Sequence, residues 1–321
     1  MKIRNLSENL MTSPPSFPSG KHLVIITGPT AVGKTSLTIQ LAQHFHSEII
    51  SADSRQFYKE LIIGTAAPTP EELKTIKHHL VGMLSITENY NVYRFEKDVI
   101  SILEKLFIKN DIVFMVGGSG LYIDAVCNGI DEIPDPDMEL RNKLNTTYET
   151  LGIQPLRQQL MLLDPESYEK LDIANHKRII RALEVCIATG KPYSSFLNKK
   201  SISRPFNIIK IGLKRERAEL YASINKRVDI MIQCGLENEA RSLYPFRDLN
   251  SLQTVGYREL FDYFDGTYSL TEAIEKIKTN TRRYAKKQMT WFERDEKINW
   301  FHPSETEKIL AHIKKHTTPT L

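Results

Sequence analysis

The stretch from Ile25 to Ala42, "IITGPTAVGKTSLTIQLA", constrains the fold more than any other. A hydrophobic run ends, a glycine-rich loop follows, and a Lys-Thr pair opens an amphipathic segment. Gly28, Gly33, Lys34 and Thr35 fit G-x-x-x-x-G-K-[ST], a pattern that belongs between a strand and a helix. The expected anion cradle is the whole loop: Gly28, Pro29, Thr30, Ala31, Val32 and Gly33. Lys34 adds a positive charge, and the Thr35 hydroxyl is suited to ligate Mg²⁺. The dipole of the following helix adds to the attraction. The loop announces a phosphate chain without saying whose: a nucleotide, or a pyrophosphate that leaves from something else.

The surrounding pattern supplies the scaffold. Residues 21–27 read as a buried strand, 34–46 as the helix behind it, and 47–51 as a second short strand that ends near Asp53. "DVISILEKLFIKN" has helical periodicity, and "DIVFMV" is a third buried strand. Strands alternating with helices predict an α/β fold with a parallel sheet and ligands at the strand C-terminal ends. A chain of 321 residues allows one large domain or one domain with an insert. At Gly129 the character changes. "IDEIPDPDMELRNKL" reads as a Pro/Asp-rich link, helical segments run to about Thr189, and "FNIIKIGL" at 206–213 returns as a strand. From Arg215 onward the pattern is helical. The expected organisation is therefore a disordered leader at 1–20, an α/β core from 21–128 and 206–321 with a helical C-terminal part, and a helical insertion domain at 129–205.

Composition narrows the function classes. The chain is 41% hydrophobic and 26% charged, as expected for a soluble enzyme with a core. A net charge of +4 permits an acidic partner without naming one. No apolar run approaches the ~20 residues that cross a bilayer, and the N-terminus has no apolar signal core. Cys127, Cys186 and Cys234 form neither a zinc pattern nor a disulfide framework, so a reducing cytoplasm is the expected compartment.

Several residues carry possible chemistry. Asp53 at the second strand end suits a proton acceptor or a Mg²⁺ ligand, or alternatively a helix cap. "GGSGLYIDAV" places Gly117, Gly118, Ser119 and Gly120 just past the third strand, where glycines let a ligand approach the backbone. That strand ends in glycine and not in Asp or Glu, which speaks against an ordinary ATPase or GTPase. Near the C-terminus, "EAIEKIKTNTRRYAKKQMTWFERDEK" interleaves cations, among them Arg282 and Arg283, with Tyr284, Trp291 and Phe292. Ile274, Ile277, Thr281, Tyr284, Gln288 and Trp291 fall on one helical stripe expected to face the core, leaving the cations outward for a nucleic-acid backbone. "HKRIIRALE" adds Lys177, Arg178 and Arg181. His78 and His79 have no visible third ligand and suit a hydrogen-bonding role.

These segments together resemble one family, the tRNA dimethylallyltransferases or tRNA isopentenyltransferases. The matching stretches are "GPTAVGKTSL", "SADSRQFYKELIIGTAAP", "HHLVGM", "GGSGLYIDAV", "ANHKRIIRALEV", "INKRVDIMIQCGLENEA", "LQTVGYREL" and "TRRYAKKQMTWF", in the family's order. The resemblance implies a P-loop NTPase-like core with a helical insert. It implies that the loop holds the diphosphate of dimethylallyl diphosphate and that Mg²⁺ supports the reaction. The dimethylallyl group would pass to N6 of adenosine-37, on the 3′ side of the anticodon, in tRNAs reading codons that begin with U. By match to the family motifs, Asp53 is the expected general base, Lys34 and Arg227 the diphosphate clamp, Thr35 the Mg²⁺ ligand, and Ser119 a lining of the reaction channel. The expected tRNA contacts are Asp53, Ser54, Arg55 and Gln56, then Ser119 and Arg141, then Lys177, Arg178, Ile179, Ile180 and Arg181, then Arg282 and Arg283. A monomer is implied, and a target adenine flipped out of its stack. Two positions depart from the family's usual pattern: Ala67 stands where Lys is common, and Ser223 where Arg is frequent. The competing classes are a P-loop small-molecule kinase, a prenyltransferase of free adenine nucleotides and a non-catalytic RNA-binding module.

Overall fold

The computed structural model describes residues 17–135, 137–197 and 202–318. The expected leader lies outside these residues as far as position 16. Phe17 packs edge-on against Phe107 and Phe206, with ring centroids 5.8 and 5.3 Å apart.

The first strand, β1 (His22–Thr27), is buried along its whole length. A continuous apolar run of that kind needs cover on both faces, which a parallel sheet with flanking helices provides. The chain continues through α1 (Lys34–His44), β2 (Ile49–Ser51), α2 (Pro70–Thr75), β3 (His78–His79), α3 (Val92–Lys109), β4 (Ile112–Val116) and α4 (Gly120–Asn128). An insert follows with α5 (Met138–Leu151), α6 (Gln154–Leu163), α7 (Pro165–Lys170) and α8 (His176–Thr189). The sheet resumes at β5 (Asn207–Leu213). Then come α9 (Arg217–Gln233), α10 (Leu236–Leu243), α11 (Tyr257–Phe264), α12 (Leu270–Phe292), β6 (Ile298–Phe301) and α13 (Thr306–Thr317). The sheet order is β3-β2-β4-β1-β5-β6, and every pairing is parallel. Among the described residues no helix is long and apolar enough to cross a membrane.

Strand β6 corrects the expectation of unbroken helix and loop after Arg215. Its residues pair with β5 from Lys210↔Ile298 to Leu213↔Phe301. Gly212 makes room for it: a Cβ there would lie 2.6 Å from both Ile298 and Trp300 side-chain atoms.

The chain divides into two units. One comprises the described parts of Met1–Tyr90, Lys97–Cys127 and Ser203–Leu321. Its sheet core joins Val24, Ile26, Leu41, Phe114 and Ile211 to Ile309 and Ile313 of α13. A second cluster, around Leu61, Leu236, Tyr257, Leu260 and Ile277, gathers the C-terminal helices.

The other unit is Asn91–Glu96 with Asn128–Ile202. Its core is Leu144, Leu156, Leu160, Ile179, Ile180 and Leu183. The Pro/Asp-rich link is shorter than expected, because Asp137 already caps α5, accepting from Glu139 N at 2.9 Å and Leu140 N at 3.1 Å. Asp164 is buried and stitches this unit together, accepting from Ser167 N (3.0 Å), Ser194 N (2.7 Å) and Ser194 Oγ (2.8 Å). Burial raises its pKa, but these donors from Ser167 and Ser194 prevail and hold the carboxyl below its ordinary value.

Candidate active site

Parallel pairing puts the C-terminal ends of β1, β2 and β4 on one edge, so three loops meet there. Their backbones are bonded directly. Ala52 N donates to Val116 O at 2.7 Å, Gly117 N to Ile26 O at 3.2 Å, and Ser119 N to Ala52 O at 3.3 Å. Glycine is required at two positions along this edge. A Cβ on Gly117 would sit 2.2 Å from the Ala52 carbonyl oxygen, and one on Gly28, at φ +138°, 2.5 Å from that of Leu213.

The phosphate loop occupies the turn between β1 and α1. Gly33 is the left-handed residue before α1, so the first-turn N–H groups of α1 have no acceptor within the helix. Lys34 folds back over the loop, its Nζ donating to Gly28 O (3.0 Å) and Pro29 O (2.8 Å). Two expected members of the anion cradle play other parts. Pro29 has no N–H and contributes only that carbonyl. Thr30 N donates to Gln288 Oε1 at 2.8 Å. From the outside, Arg215 Nε braces the loop through Val32 O at 2.9 Å.

Asp53 stands two residues past β2. Its Oδ1 accepts from Arg55 N at 3.0 Å and closes a tight turn, so the capping alternative takes the form of a turn and not of a helix N-terminus. Ser119 Oγ accepts from Ser54 N at 3.0 Å and donates to Ser54 Oγ at 3.3 Å. The Ser119 hydroxyl thus holds the Asp53 loop against the glycine loop, a positioning contact.

Beside these loops lies a cavity of about 500 Å³. Thr30, Asp53, Ser54, Arg55, Arg227 and Arg283 line it, all of them singled out in the sequence. Lys287, one of the cations expected to face a nucleic-acid backbone, lines it as well, together with Arg258, Asn280 and Tyr284, to which the sequence assigns no site role. Lys34 and Arg227 lie within reach of each other's charge. Burial first, then the Arg227 charge, pulls the Lys34 ammonium down to about 7, with Asp53 opposing. Burial also lowers Arg227, and Asp53 again counters it. Arg227 Nη2 donates to Thr65 O at 3.4 Å. Two cations and one carboxylate thus share the mouth of the phosphate loop. Such a cluster attracts a polyanion, whose charge would restore the full ammonium of Lys34. A larger open depression of about 690 Å³ runs along α11 and α12, but it mixes Asp248, Asp262, Asp265 and Glu275 with its cations and touches none of the three loops.

Other candidates separate by burial. Gln56 is committed inward, with Nε2 donating to Ala66 O at 3.0 Å and Oε1 accepting from Ser51 Oγ at 3.1 Å. Arg55 reaches Asn250 O at 2.9 Å while still lining the cavity. On α12, Tyr284 is 44% exposed and faces the cavity, so it does not belong to the core stripe expected of it. The helix buries Ile277 and Gln288 of that stripe, together with Ala273, Ala285 and Phe292. Arg282 does not project freely: it donates to Asn225 Oδ1 at 2.6 Å. His78 and His79 bond Ile76 O (2.9 Å) and Glu48 Oε2 (2.6 Å).

Within the insert, Lys177 and Arg178 are exposed and available to a ligand. Ile179 and Ile180 are 0% and 3% exposed and belong to the core of that unit, so they cannot touch RNA. Arg141 binds buried Glu184 with both Nε and Nη2, the latter at 2.7 Å. Arg181 donates to the same carboxylate at 3.2 Å and to Pro134 O at 2.6 Å. Their forks are held within the unit by the pairs a buried carboxylate demands.

A phosphate loop, a carboxylate at the neighbouring strand end and a second glycine loop, all at the strand ends of a parallel sheet, place the chain among the P-loop α/β enzymes. The family model for IPP transferase matches residues 56–295, and the chain belongs to that family. It is 53% identical over 296 residues to tRNA dimethylallyltransferase 1 of Bacteroides fragilis, covering 92% of this chain and 98% of the relative. It is 55% identical over 293 residues to tRNA dimethylallyltransferase 2 of Parabacteroides distasonis, covering 91% and 98%. Among solved structures it resembles the full-length tRNA isopentenylpyrophosphate transferase of Bacillus halodurans, with a TM-score of 0.68 at 36% identity over 92% of this chain and 97% of that one. It also resembles a eukaryotic dimethylallyltransferase acting on tRNA, with a TM-score of 0.75 at 27% identity over 92% of this chain and 77% of the other.

Proposed function

We infer that this chain transfers the dimethylallyl group of dimethylallyl diphosphate to N6 of the adenosine on the 3′ side of a tRNA anticodon, giving N6-(dimethylallyl)adenosine and diphosphate. The observation that carries the reading is the meeting of Lys34, Arg227 and Asp53 at the phosphate loop, beside a cavity lined by Tyr284 and Lys287. The relatives' names supply the tRNA acceptor and the dimethylallyl group; the diphosphate donor is our reading of the phosphate loop.

The chemistry follows from charge. The exocyclic amine of adenine is a weak nucleophile, because its lone pair is delocalised into the ring. As its nitrogen bonds to the allylic C1, the C1–O bond breaks and its electron pair leaves with diphosphate. The proton shed by nitrogen goes to the Asp53 carboxylate. Lys34, Arg227 and the N-terminus of α1 offset the charge growing on the departing oxygen. Thr35, in the first turn of α1, offers a hydroxyl which with diphosphate oxygens makes the hard-oxygen set that Mg²⁺ takes. When bound there, the ion neutralises leaving-group charge. The target base must leave its stack to reach Asp53. We assign the outward cations Lys177 and Arg178 of the insert, and Arg283 and Lys287 of α12, to the tRNA backbone. We expect a monomer. Three free thiols suit a reducing cytoplasm.

The test is transfer of radiolabelled dimethylallyl from its diphosphate, with Mg²⁺, to unmodified tRNA, an anticodon stem-loop and AMP in parallel. Label on tRNA and stem-loop but not on AMP is the expected result. Label on AMP alone would make the chain a free-nucleotide prenyltransferase. ATP hydrolysis without any transfer would make the loop a nucleotide site.

A further inference from the structure

Gln288 is the one polar side chain of α12 buried between the phosphate loop and the second glycine loop. It is 7% exposed. Its Oε1 accepts from Thr30 N at 2.8 Å, and its Nε2 donates to Gly118 O at 2.9 Å. A backbone N–H only donates and a carbonyl only accepts, so the two partners fix which way the amide faces. One side chain thus ties together two loops that lie 258 and 170 residues away in sequence.

The link reaches the third loop as well. Gly118 is followed by Ser119, whose Oγ holds Ser54 N at 3.0 Å, the amide next to Asp53. The relay therefore runs from Thr30 through Gln288 and Gly118–Ser119 to the Asp53 turn. Its ends are the anion cradle and the proposed base. Gly118 has no side chain for a reason that concerns this contact: a Cβ there would lie 2.2 Å from Gln288 Nε2. The neighbouring turn of α12 is seated the same way, with a Gly120 Cβ 2.2 Å from Trp291, and Trp291 Nε1 donating to Asp124 at 3.0 Å.

We propose that Gln288 is a positioning residue that sets the distance between the leaving diphosphate and the proton acceptor for the incoming amine. It touches neither substrate and acts through the Thr30 and Gly118 backbones. The proposal rests on the transfer reaction inferred above. Displacements of about 1 Å at a reacting centre cost on the order of 100-fold in rate, so the effect belongs in kcat and not in substrate affinity.

The experiment compares Gln288→Leu, Gln288→Glu and Gly118→Ala with the wild-type chain in the transfer assay on tRNA, with melting curves for each. Wild-type transfer is measured first, so failure of the reaction itself is told apart from failure of this proposal. Gln288→Leu fills a similar volume but makes neither bond. Its kcat should fall about 10- to 100-fold, with KM for tRNA within about threefold and a folded melt. Gly118→Ala keeps Gln288 but pushes its amide aside, and should reproduce the kcat loss if the leucine variant does not fold. A glutamic acid in place of Gln288 has the same donor and acceptor pattern only when protonated. The ratio of Gln288→Glu to wild-type kcat should therefore rise as pH falls from about 8.5 to about 6, while the Gln288→Leu ratio stays flat. A merely structural glutamine would lower the melting temperature without moving that ratio. Wild-type kcat in a folded Gln288→Leu or Gly118→Ala variant, a loss confined to KM, or a flat Gln288→Glu ratio would each overturn the proposal.

Discussion

Replacing Glu239 with glutamine changes a single atom and should unlock the segment that carries Thr65. The Glu239 carboxylate, on α10, collects four donors. Oε2 accepts from Ile62 N (3.1 Å) and Ile63 N (2.8 Å), and Oε1 from Gly64 N (2.9 Å) and Tyr257 Oη (2.7 Å). An amide offers only one acceptor atom. If its oxygen faces Ile62 and Ile63, its NH₂ confronts Gly64 N, and only the Tyr257 hydroxyl can rotate to accept. Gly64 cannot move away, since a Cβ there would already lie 2.6 Å from Tyr257 Oη, and Tyr257 is fully buried. Ile62 is 57% exposed, so its N–H finds water and adds nothing to the loss. The cost is one stranded N–H at about 1–3 kcal/mol plus weakened charge-assisted bonds, together about 2–4 kcal/mol. In a unit of this size each kcal/mol moves the melting temperature by about 2–4 °C. Glu239→Gln should therefore melt about 4–16 °C lower by circular dichroism. Because Thr65 O receives Arg227 Nη2, KM for dimethylallyl diphosphate should rise in the same variant. A melt within about 1 °C of wild type would refute the account of this carboxylate.

Three other outcomes follow from the same geometry. Asp164 is held below its ordinary value of 3.8, so its stabilisation is present above that value and lost as pH falls through the lower folded value. Asp164→Asn should unfold at lower urea than wild type at neutral pH, by about 1–3 kcal/mol, with the gap closing below pH 3.8; a gap independent of pH would contradict this. Arg227→Ala removes half of the cationic clamp and should lower kcat about 100- to 1,000-fold, read in single-turnover transfer. Gly117→Ala drives a Cβ to 2.2 Å from the Ala52 carbonyl, a backbone atom that cannot swing aside. It should cost more than about 1–3 kcal/mol and reduce transfer with it, which a melt and a kinetic assay on one preparation would check.

The phosphate loop was legible because its requirements are local: glycines for a turn, then Lys34 and Thr35 opening a helix. Asp53 was legible as a strand end, since strand β2 is short and stops two residues before it. What escaped depends on partners distant in sequence. Gln288 sat on a helical stripe with Ile277, and spacing cannot tell a buried apolar residue from a buried amide that needs two backbone partners. Tyr284 shared that stripe but opens into the cavity, because α12 crosses the cavity edge there. The four-residue β6, "INWF", is too short to show a period against its flanks. In the insert, the run from Lys177 to Arg181 looked like one block of contacts. On a helix consecutive residues point different ways, so Lys177 and Arg178 face outward while Ile179 and Ile180 are buried. Arg141 looked free because Glu184, its partner, is 43 residues away.

The most direct measurement of the central claim is Asp53→Asn in single-turnover transfer, beside tRNA binding at fixed salt. Asparagine keeps an oxygen for the Arg55 N–H that closes the turn, but it cannot take the proton from N6. Transfer should fall about 100- to 10,000-fold, with the dissociation constant for tRNA within about threefold of wild type. Transfer at the wild-type rate with intact tRNA binding would show that the proton leaves by another route, and that Asp53 only shapes the turn.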